Sequence, residues 1–200
     1  RNSKRYTFIK GNICSMDLMN YIRDNFKIKY VLHMAAQSHV QNSFEDSLQF
    51  TSDNVLGSHV LLECFRKSPI LKKFIHVSTD EVYGELEDDG FFTEETPYAP
   101  NSPYSASKAG SDFIVRSYFQ TYGMNVVTTN CSNNYGPHQH DEKLIPTVIR
   151  SAMQSKNIPI YGKGENIRDW LFVKDHCSAI ETVFNEGKAG ETYNIGGNNE

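Results

Sequence analysis

The chain has 200 residues, of which 38% are hydrophobic and 22% are charged, and its formal net charge is −4. This length is enough for one substantial hydrophobic core. No apolar run approaches the roughly 20 residues that a membrane-spanning helix needs, and the negative charge argues against a protein that binds nucleic-acid phosphates. We therefore expect one domain over residues 1–200 that binds neither nucleic acid nor membrane.

Strand and helix patterns alternate along the chain. Runs of β-branched and aromatic residues predict strands, and apolar residues spaced three and four apart predict helices. Ser15 is a suitable cap for the first helix and Pro103 a suitable first residue for the third. The predicted strands cover residues 6–9, 30–34, 73–78, 125–130 and 158–161, and a last strand ends at "YNIGG". The predicted helices cover residues 16–26, 44–66, 103–122, 144–155 and 174–185.

This alternation predicts right-handed βαβ units, and hence a doubly wound, Rossmann-like parallel sheet with helices on both faces. Three segments rich in small or polar residues follow predicted strands: "MAAQSH" (34–39), "STDE" (78–81) and "NCSNNYGP" (130–137). Parallel strands end at one edge of their sheet, and ligands of such sheets bind beyond that edge. The sequence therefore predicts a ligand cleft where these three segments meet.

Cysteine and histidine spacing gives no indication of a metal or redox site. The four cysteines lie far apart and form no Cys-x-x-Cys pair, which favours free thiols in a reducing compartment such as the cytoplasm. His138 and His140 stand close together in "HQH", but no further ligands follow at a suitable spacing. We expect no metal site.

The stretch "PYSASKAG" places Tyr104 and Lys108 four residues apart near the start of a predicted helix, so that both face the same way. A free tyrosine is a poor base at neutral pH because its pKa is near 10. A neighbouring ammonium group favours the phenolate, so Lys108 is expected to lower the pKa of Tyr104. The pair is predicted to be catalytic, with Lys108 also available to a cofactor ribose.

Tyr104-x-x-x-Lys108 on an α/β scaffold resembles the extended short-chain dehydrogenase/reductases. Within them, seven longer stretches resemble the dTDP-glucose 4,6-dehydratases: "STDEVYG", "YSASKAGSD", "NCSNNYGP", "EKLIP", "PIYGKG", "IRDWL" and "GETYNIGG". The resemblance covers nearly the whole chain. It implies an NAD cofactor, a nucleotide-linked glucose as substrate and a 4-keto-6-deoxy sugar nucleotide as product.

The resemblance also implies a role for each residue of the predicted catalytic set. Tyr104 takes the proton of the C4 hydroxyl during C4 oxidation, and Thr79 hydrogen-bonds the C4 oxygen. Glu81 then removes the C5 proton, and Asp80 protonates the departing C6 hydroxyl. Elimination across neighbouring carbons needs one base and one acid, so the two carboxyl groups must have different pKa values.

The resemblance also implies, position by position, which residues of this chain bind the cofactor and the substrate. The cofactor-binding positions are Asn12, Ile13, Met34, Ala35, Ala36, Gln37 and Ser38, together with Tyr104 and Lys108. The substrate-binding positions are Ser38, Thr79, Asp80, Glu81, Asn133, Lys143, Leu144, Pro159, Tyr161 and Arg168. A fixed guanidinium such as that of Arg168 suits recognition of a diphosphate.

The chain departs from the family pattern in three places. Asn12 stands where aspartate is usual, although its amide oxygen can still accept from an adenine amine, and Gln37 stands where the bacterial enzymes usually have glutamate. The stretch "AAQSHVQNSF" is more similar to eukaryotic and viral members, some of which use UDP-glucose. The sequence therefore does not decide whether the substrate carries dTDP or UDP. The family's glycine-rich phosphate-binding turn is not found. We therefore expect a fragment without the first βα unit and the C-terminal substrate-binding part.

Other interpretations remain at this point. UDP-sugar 4-epimerases and UDP-glucuronate decarboxylases share the tyrosine, the lysine and the scaffold, but they do not need an acid and a base for C5–C6 elimination. A non-catalytic protein that binds nucleotide sugars is the alternative from another class. The resemblance further implies a homodimer built on the long helices at 44–66 and 103–122.

Overall fold

The computed structural model describes residues 5–86, 90–158, 160, 163–164 and 167–198. Its main sheet has four parallel strands in the order β1-β2-β3-β6, and β4 and β5 form a small parallel pair beside it. The strands are β1 (Tyr30–His33), β2 (Lys73–Thr79), β3 (Val126–Cys131), β4 (Asn133–Tyr135), β5 (Trp170–Phe172) and β6 (Thr192–Ile195). The predicted parallel α/β fold is confirmed.

Helices connect these strands and cover the sheet. The α-helices are α1 (Met16–Asn25), α2 (Val40–Glu45), α3 (Ser47–Phe50), α4 (Gly57–Phe65), α5 (Pro103–Tyr122), α6 (Leu144–Met153) and α7 (Val173–Glu186). A π-helical stretch, Thr51–Leu56, joins α3 to α4, and a 3₁₀ turn, Asp80–Tyr83, follows β2. No helix among the described residues is both long and apolar enough to cross a membrane.

The core lies between the two central strands and the helices packed on them. Phe74 of β2 is fully buried, and Val126 of β3 is 1% exposed. They belong to a cluster that includes Leu62 and Phe65 of α4 and Val115 of α5. Burial on both faces explains why these strands read as apolar runs rather than as alternating patterns.

Helix α5 shows how local sequence sets an element. Pro103 is its first residue, and the hydroxyl groups of Ser102 and Ser105 form a reciprocal capping box with the backbone N–H groups at its start. Gly123 ends it with a φ of 64°, in the left-handed region that glycine adopts at no steric cost. The predicted range 103–122 is therefore confirmed. Helix α1 likewise begins after Ser15, whose hydroxyl accepts from the Leu18 N–H.

Three predicted elements differ from the structure. Residues 6–9 form no strand; Tyr6 and Phe8 are exposed, and the segment makes no ladder hydrogen bonds among the described residues. The helix predicted over 44–66 is divided, because Asp46 takes a non-helical conformation and caps α3 by accepting from the Gln49 N–H. The strand predicted at 158–161 lies partly outside the described residues, and its described positions, 158 and 160, are not in a strand.

Candidate active site

Three segments after the carboxyl ends of neighbouring parallel strands form one edge of the main sheet. His33, the last residue of β1, is in register with His76 of β2, and Thr79, the last of β2, is in register with Cys131 of β3. The segments that follow these strand ends are therefore adjacent, as expected for a parallel sheet. They contain residues 34–38, 80–84 and 132–133, which include the predicted site residues 34–38, Asp80, Glu81 and Asn133.

The turn after β2 holds Thr79, Asp80 and Glu81 in a fixed arrangement. The Thr79 hydroxyl caps the 3₁₀ turn: it accepts from the Glu81 N–H at 3.3 Å and donates to Oδ1 of Asp80 at 3.3 Å. Gly84 ends the turn with a φ of 93°, and a Cβ there would clash with the Ala99 carbonyl oxygen. The turn therefore requires glycine at its end. The turn places the carboxylates of Asp80 and Glu81 at the edge of the sheet.

The two carboxyl groups differ in their environments. Burial raises the pKa of Asp80 to about 6; Asp169 adds to this rise, whereas Thr79 and Arg168 oppose it. Burial and then the Asp80 carboxylate raise the pKa of Glu81, and Arg168 and Lys143 lower it. Asp80 is therefore a carboxyl group that can carry a proton near neutral pH, as a general acid requires.

The raised pKa of Asp80 predicts a stabilising substitution. An acid with a higher pKa in the folded state than in the unfolded chain makes folding less favourable as pH rises, here between about pH 4 and about pH 6. Asp80→Asn removes this penalty and can still accept from Thr79. We expect its free energy of unfolding to exceed that of the wild type by about 3 kcal/mol at about pH 8, with little difference at about pH 4.

Urea denaturation of the full-length protein at both pH values checks this expectation. Glu85→Gln is the matched control because the Glu85 side chain is exposed to solvent. An Asp80→Asn variant that is less stable than the wild type at about pH 8 would contradict the assigned environment.

Tyr104 and Lys108 lie one helical turn apart on α5, and both are buried, with 8% and 3% of their surface exposed. Nζ of Lys108 donates to the Val77 carbonyl oxygen of β2 at 2.9 Å. Burial raises the pKa of Tyr104 above its usual range, Glu81 raises it further, and a hydrogen bond with Thr79 lowers it. The net pKa of Tyr104 is therefore raised and not lowered as the Tyr104–Lys108 spacing predicts, because burial is the largest effect on this buried phenol.

The predicted cofactor side is a cavity of about 400 Å³ next to β1. Its lining includes five predicted cofactor residues and three others: Asn12, Ile13, Ala35, Ala36 and Gln37, with Lys10, Gly11 and Asp53. Met34 and Ser38 are exposed on the same segment. The short side chains of Ala35 and Ala36 leave room for a flat group, and the polar groups at the two ends can orient it. The residues present therefore fit the adenosine end of a dinucleotide.

Asn12 and Gln37 both have partners in this cavity wall. Oδ1 of Asn12 accepts from the Cys14 N–H at 2.8 Å, so its oxygen is oriented by the chain and keeps a second lone pair for a ligand. Nε2 of Gln37 donates to Oδ2 of Asp53 at 2.9 Å. A carboxylate thus lies beside Gln37 although the expected glutamate is replaced.

Asn54 is a site residue that the sequence interpretation missed. It is 1% exposed, and its amide group pairs with both backbone groups of Gln37, N–H at 2.7 Å and C=O at 3.1 Å. Its Nδ2 also donates to the Ser107 hydroxyl at 2.9 Å. It lies in the π-helical stretch, a feature often found at functional sites. The sequence signal that could have identified Asn54 is a polar residue within an otherwise apolar helical pattern. In the structure, Asn54 links the predicted cofactor segment to α5.

Besides Ser38 and the turn after β2, the structure describes four predicted substrate residues: Asn133, Lys143, Leu144 and Arg168. Lys143 precedes α6, and its Nζ donates to the Ser38 carbonyl oxygen at 2.8 Å. Leu144 is the first residue of α6 and half exposed, and Asn133 begins β4, in register with Trp170. Arg168 interacts with Asp80 and Glu81 through its charge. Pro159 and Tyr161 lie outside the described residues.

A second cavity, of about 670 Å³, lies between the loop after β4 and α6, and no predicted site residue within the described part of the chain lines it. His138 is one of its lining residues. Over the part of the chain that the structure describes, no group of three or more His, Cys, Asp or Glu residues is arranged to hold a metal ion. The four cysteines are free thiols.

A parallel sheet with a buried Tyr-x-x-x-Lys pair at its carboxyl edge defines an extended short-chain dehydrogenase/reductase scaffold. Comparison with family models makes this more specific: the chain belongs to the family described as GDP-mannose 4,6 dehydratase, whose model matches residues 1–200. The resemblance to nucleotide-sugar dehydratases that the motifs indicated is thereby confirmed.

Individual relatives agree with this assignment. A dTDP-glucose 4,6-dehydratase of Xanthomonas campestris is 52% identical over 203 residues, which cover 98% of this chain and 58% of the relative. A crystal structure of a dTDP-glucose 4,6-dehydratase double mutant from Streptomyces venezuelae with NAD and DAU bound is 43% identical, with a TM-score of 0.93, over 98% of this chain and 60% of that one. The enzyme of Bacillus anthracis in complex with NAD is 47% identical, with a TM-score of 0.91, over 100% and 61%. The chain thus spans about 60% of the length of these relatives.

Proposed function

We propose that the full-length protein catalyses the NAD-dependent dehydration of dTDP-glucose to the 4-keto-6-deoxy sugar nucleotide. The observation that carries this proposal is the Asp80–Glu81 pair beside Thr79 and Tyr104 at the edge of the sheet. The pair supplies the acid and the base that elimination needs, next to the tyrosine that oxidation needs. Similarity to dTDP-glucose 4,6-dehydratases over nearly all of the chain supports the choice of substrate.

Residues 12–13 and 34–38 would hold NAD, which would supply the hydride acceptor for C4 and the hydride donor for C6. Tyr104 receives the proton of the C4 hydroxyl as C4 becomes a ketone. Thr79 hydrogen-bonds with Tyr104 and lowers its pKa, which favours the phenolate form. The Lys108 ammonium, held against the Val77 carbonyl, supports the phenolate that burial by itself disfavours.

Elimination follows from the acidity that the C4 ketone gives to the C5 proton. Glu81 removes this proton, and the electron pair forms the C5–C6 double bond as the C6 hydroxyl leaves. Asp80, whose pKa is about 6, donates the proton that turns the leaving hydroxyl into water. As C6 receives the hydride that the bound cofactor would supply, Glu81 gives C5 a proton that has exchanged with solvent.

The nucleotide side of the substrate is assigned to the cations near the cleft. Arg168 and Lys143 already interact with the Glu81 carboxylate through their charges, so they lie near the cleft. We infer that they neutralise the diphosphate, with Asn133, Leu144, Pro159 and Tyr161 completing this side and Ser38 contacting the sugar. We further propose that the full-length protein acts as a cytoplasmic homodimer.

Turnover of dTDP-glucose and UDP-glucose in heavy water tests the proposed function. With dTDP-glucose, we expect the full-length protein to form a 4-keto-6-deoxy product that carries one solvent deuterium at C5, detected by mass spectrometry and NMR. A 4-epimer without any keto product would overturn the dehydratase assignment in favour of an epimerase. Faster turnover of UDP-glucose than of dTDP-glucose would support the dehydration reaction but would show that the substrate carries uridine diphosphate.

A further inference from the structure

A buried carboxylate lies behind the proposed catalytic residues, where α5 crosses β2. Asp112 is 5% exposed and accepts hydrogen bonds from three side chains. Its Oδ1 is 3.0 Å from Nε2 of His76, and its Oδ2 accepts from Ser78 at 2.8 Å and from Tyr98 at 3.1 Å. The proposed mechanism gives this group no role.

The contacts of Asp112 and Lys108 alternate along the same strand. His76 and Ser78 bind Asp112 with their side chains, and the carbonyl of Val77, between them, accepts from Lys108. Lys108 and Asp112, one turn apart on α5, thus form hydrogen bonds with three consecutive residues of β2. Such a two-point contact fixes both the rotation of the helix and its position along the strand.

This contact lies next to the proposed chemistry on both elements. Strand β2 ends at Thr79, one residue after Ser78, and continues into Asp80 and Glu81. Tyr104 lies one helical turn before Lys108. Any slip between α5 and β2 therefore separates Tyr104 from Thr79, whose hydrogen bond depends on their alignment.

We propose that Asp112 is a positioning residue, which locks α5 to β2 and so keeps Tyr104 and Lys108 aligned with Thr79, Asp80 and Glu81. This inference rests on the proposed function, because it assigns Asp112 a part in the same reaction. Asp112 does not touch the reacting atoms; it acts through Lys108 and through the strand.

The charges around the contact support a second part of this role. Burial lowers the pKa of Lys108, and Asp112 raises it. Burial raises the pKa of Asp112 to about 7, and Lys108 lowers it. Burial lowers the pKa values of His33 and His76, so neither histidine competes as a cation. Among the described residues, Tyr83, Tyr98 and Cys131 also face the pair, and burial raises the pKa of each, so that all three stay neutral near pH 7. The ionised form of Asp112 thus favours the ammonium form of Lys108.

Asp112→Asn in the full-length protein tests the proposal with a side chain of equal size. We expect kcat to fall about 10- to 100-fold, as for the loss of a hydrogen-bonded buried charge, with KM nearly unchanged. Loss of the anion lowers the pKa of Lys108, so the alkaline limb of the kcat profile should move to lower pH. A residue that served stability alone would lower the melting temperature without moving this limb.

Ser78→Ala and Tyr98→Phe are the companion variants, because each removes one donor to Oδ2 and leaves the charges in place. Both are expected to lower kcat several-fold without moving the alkaline limb, and they carry the test if Asp112→Asn does not fold. Wild-type kcat in these variants, or an unmoved alkaline limb in a folded Asp112→Asn protein, would overturn the positioning role. Absence of keto product from the wild type would instead reject the proposed function itself.

Discussion

Tyr104→Phe is expected to abolish C4 oxidation, and with it every later step. The substitution removes only the hydroxyl group that receives the C4 proton, so we expect kcat to fall on the order of 1,000-fold or more. The ring stays in place, because it packs edge-on against Phe50 with 6.3 Å between the ring centroids. Stopped-flow absorbance of reduced nicotinamide after mixing with dTDP-glucose should show no fast rise.

The control for this variant is Tyr122→Phe, at the end of the same helix. Tyr122 is 54% exposed and contacts Arg66 through its ring face, which phenylalanine retains. We expect it to turn over like the wild type. A Tyr104→Phe protein that still reduced the cofactor at a wild-type rate would assign the proton transfer to another group and would remove Tyr104 from the mechanism.

Glu81→Gln is expected to separate oxidation from elimination. The amide cannot take the C5 proton, but Thr79, Tyr104 and Lys108 are unchanged. Oxidation at C4 should therefore proceed, while formation of the 4-keto-6-deoxy product falls about 100- to 10,000-fold, the usual contribution of general acid–base catalysis. Reduced nicotinamide should accumulate during a single turnover, and solvent deuterium should not enter C5.

Glu85→Gln, four residues further along, controls for the loss of one negative charge near this turn. Its side chain is exposed, so product formation should be unaffected. Two readouts decide the outcome for Glu81. Rapid deuterium incorporation at C5 in the Glu81→Gln protein would show that another base acts there. Loss of cofactor reduction, with no deuterium at C5, would instead show that Glu81 supports Tyr104 rather than the elimination.

Several parts of the site could be predicted from the sequence because they depend on local patterns. The alternation of strands and helices predicts a parallel sheet, and the carboxyl edge of such a sheet brings together residues 34–38 and 79–81 whatever the details of packing. The cap of α5 is encoded by Ser102 and Pro103 directly before Tyr104. The motifs themselves carried the resemblance that the family comparison confirmed.

Other parts could not be predicted, because they arise from residues distant in the chain. Asn54 reaches Ser107 across 53 positions, and Asp112 reaches His76 across 36. Neither contact leaves a periodic signal, since each depends on how one helix packs against another or against the sheet.

The sequence by itself determined the fold class and the chemical types at the site: two adjacent carboxylates, a hydroxyl group and a Tyr-x-x-x-Lys pair. Only the tertiary structure decided how these groups are protonated. Burial raises the pKa of Asp80 to about 6 and raises that of Tyr104 where an isolated Tyr–Lys pair predicts a fall. The reason is that the free energy of a charge depends on the solvent that packing removes, and this is set by elements far apart in the chain.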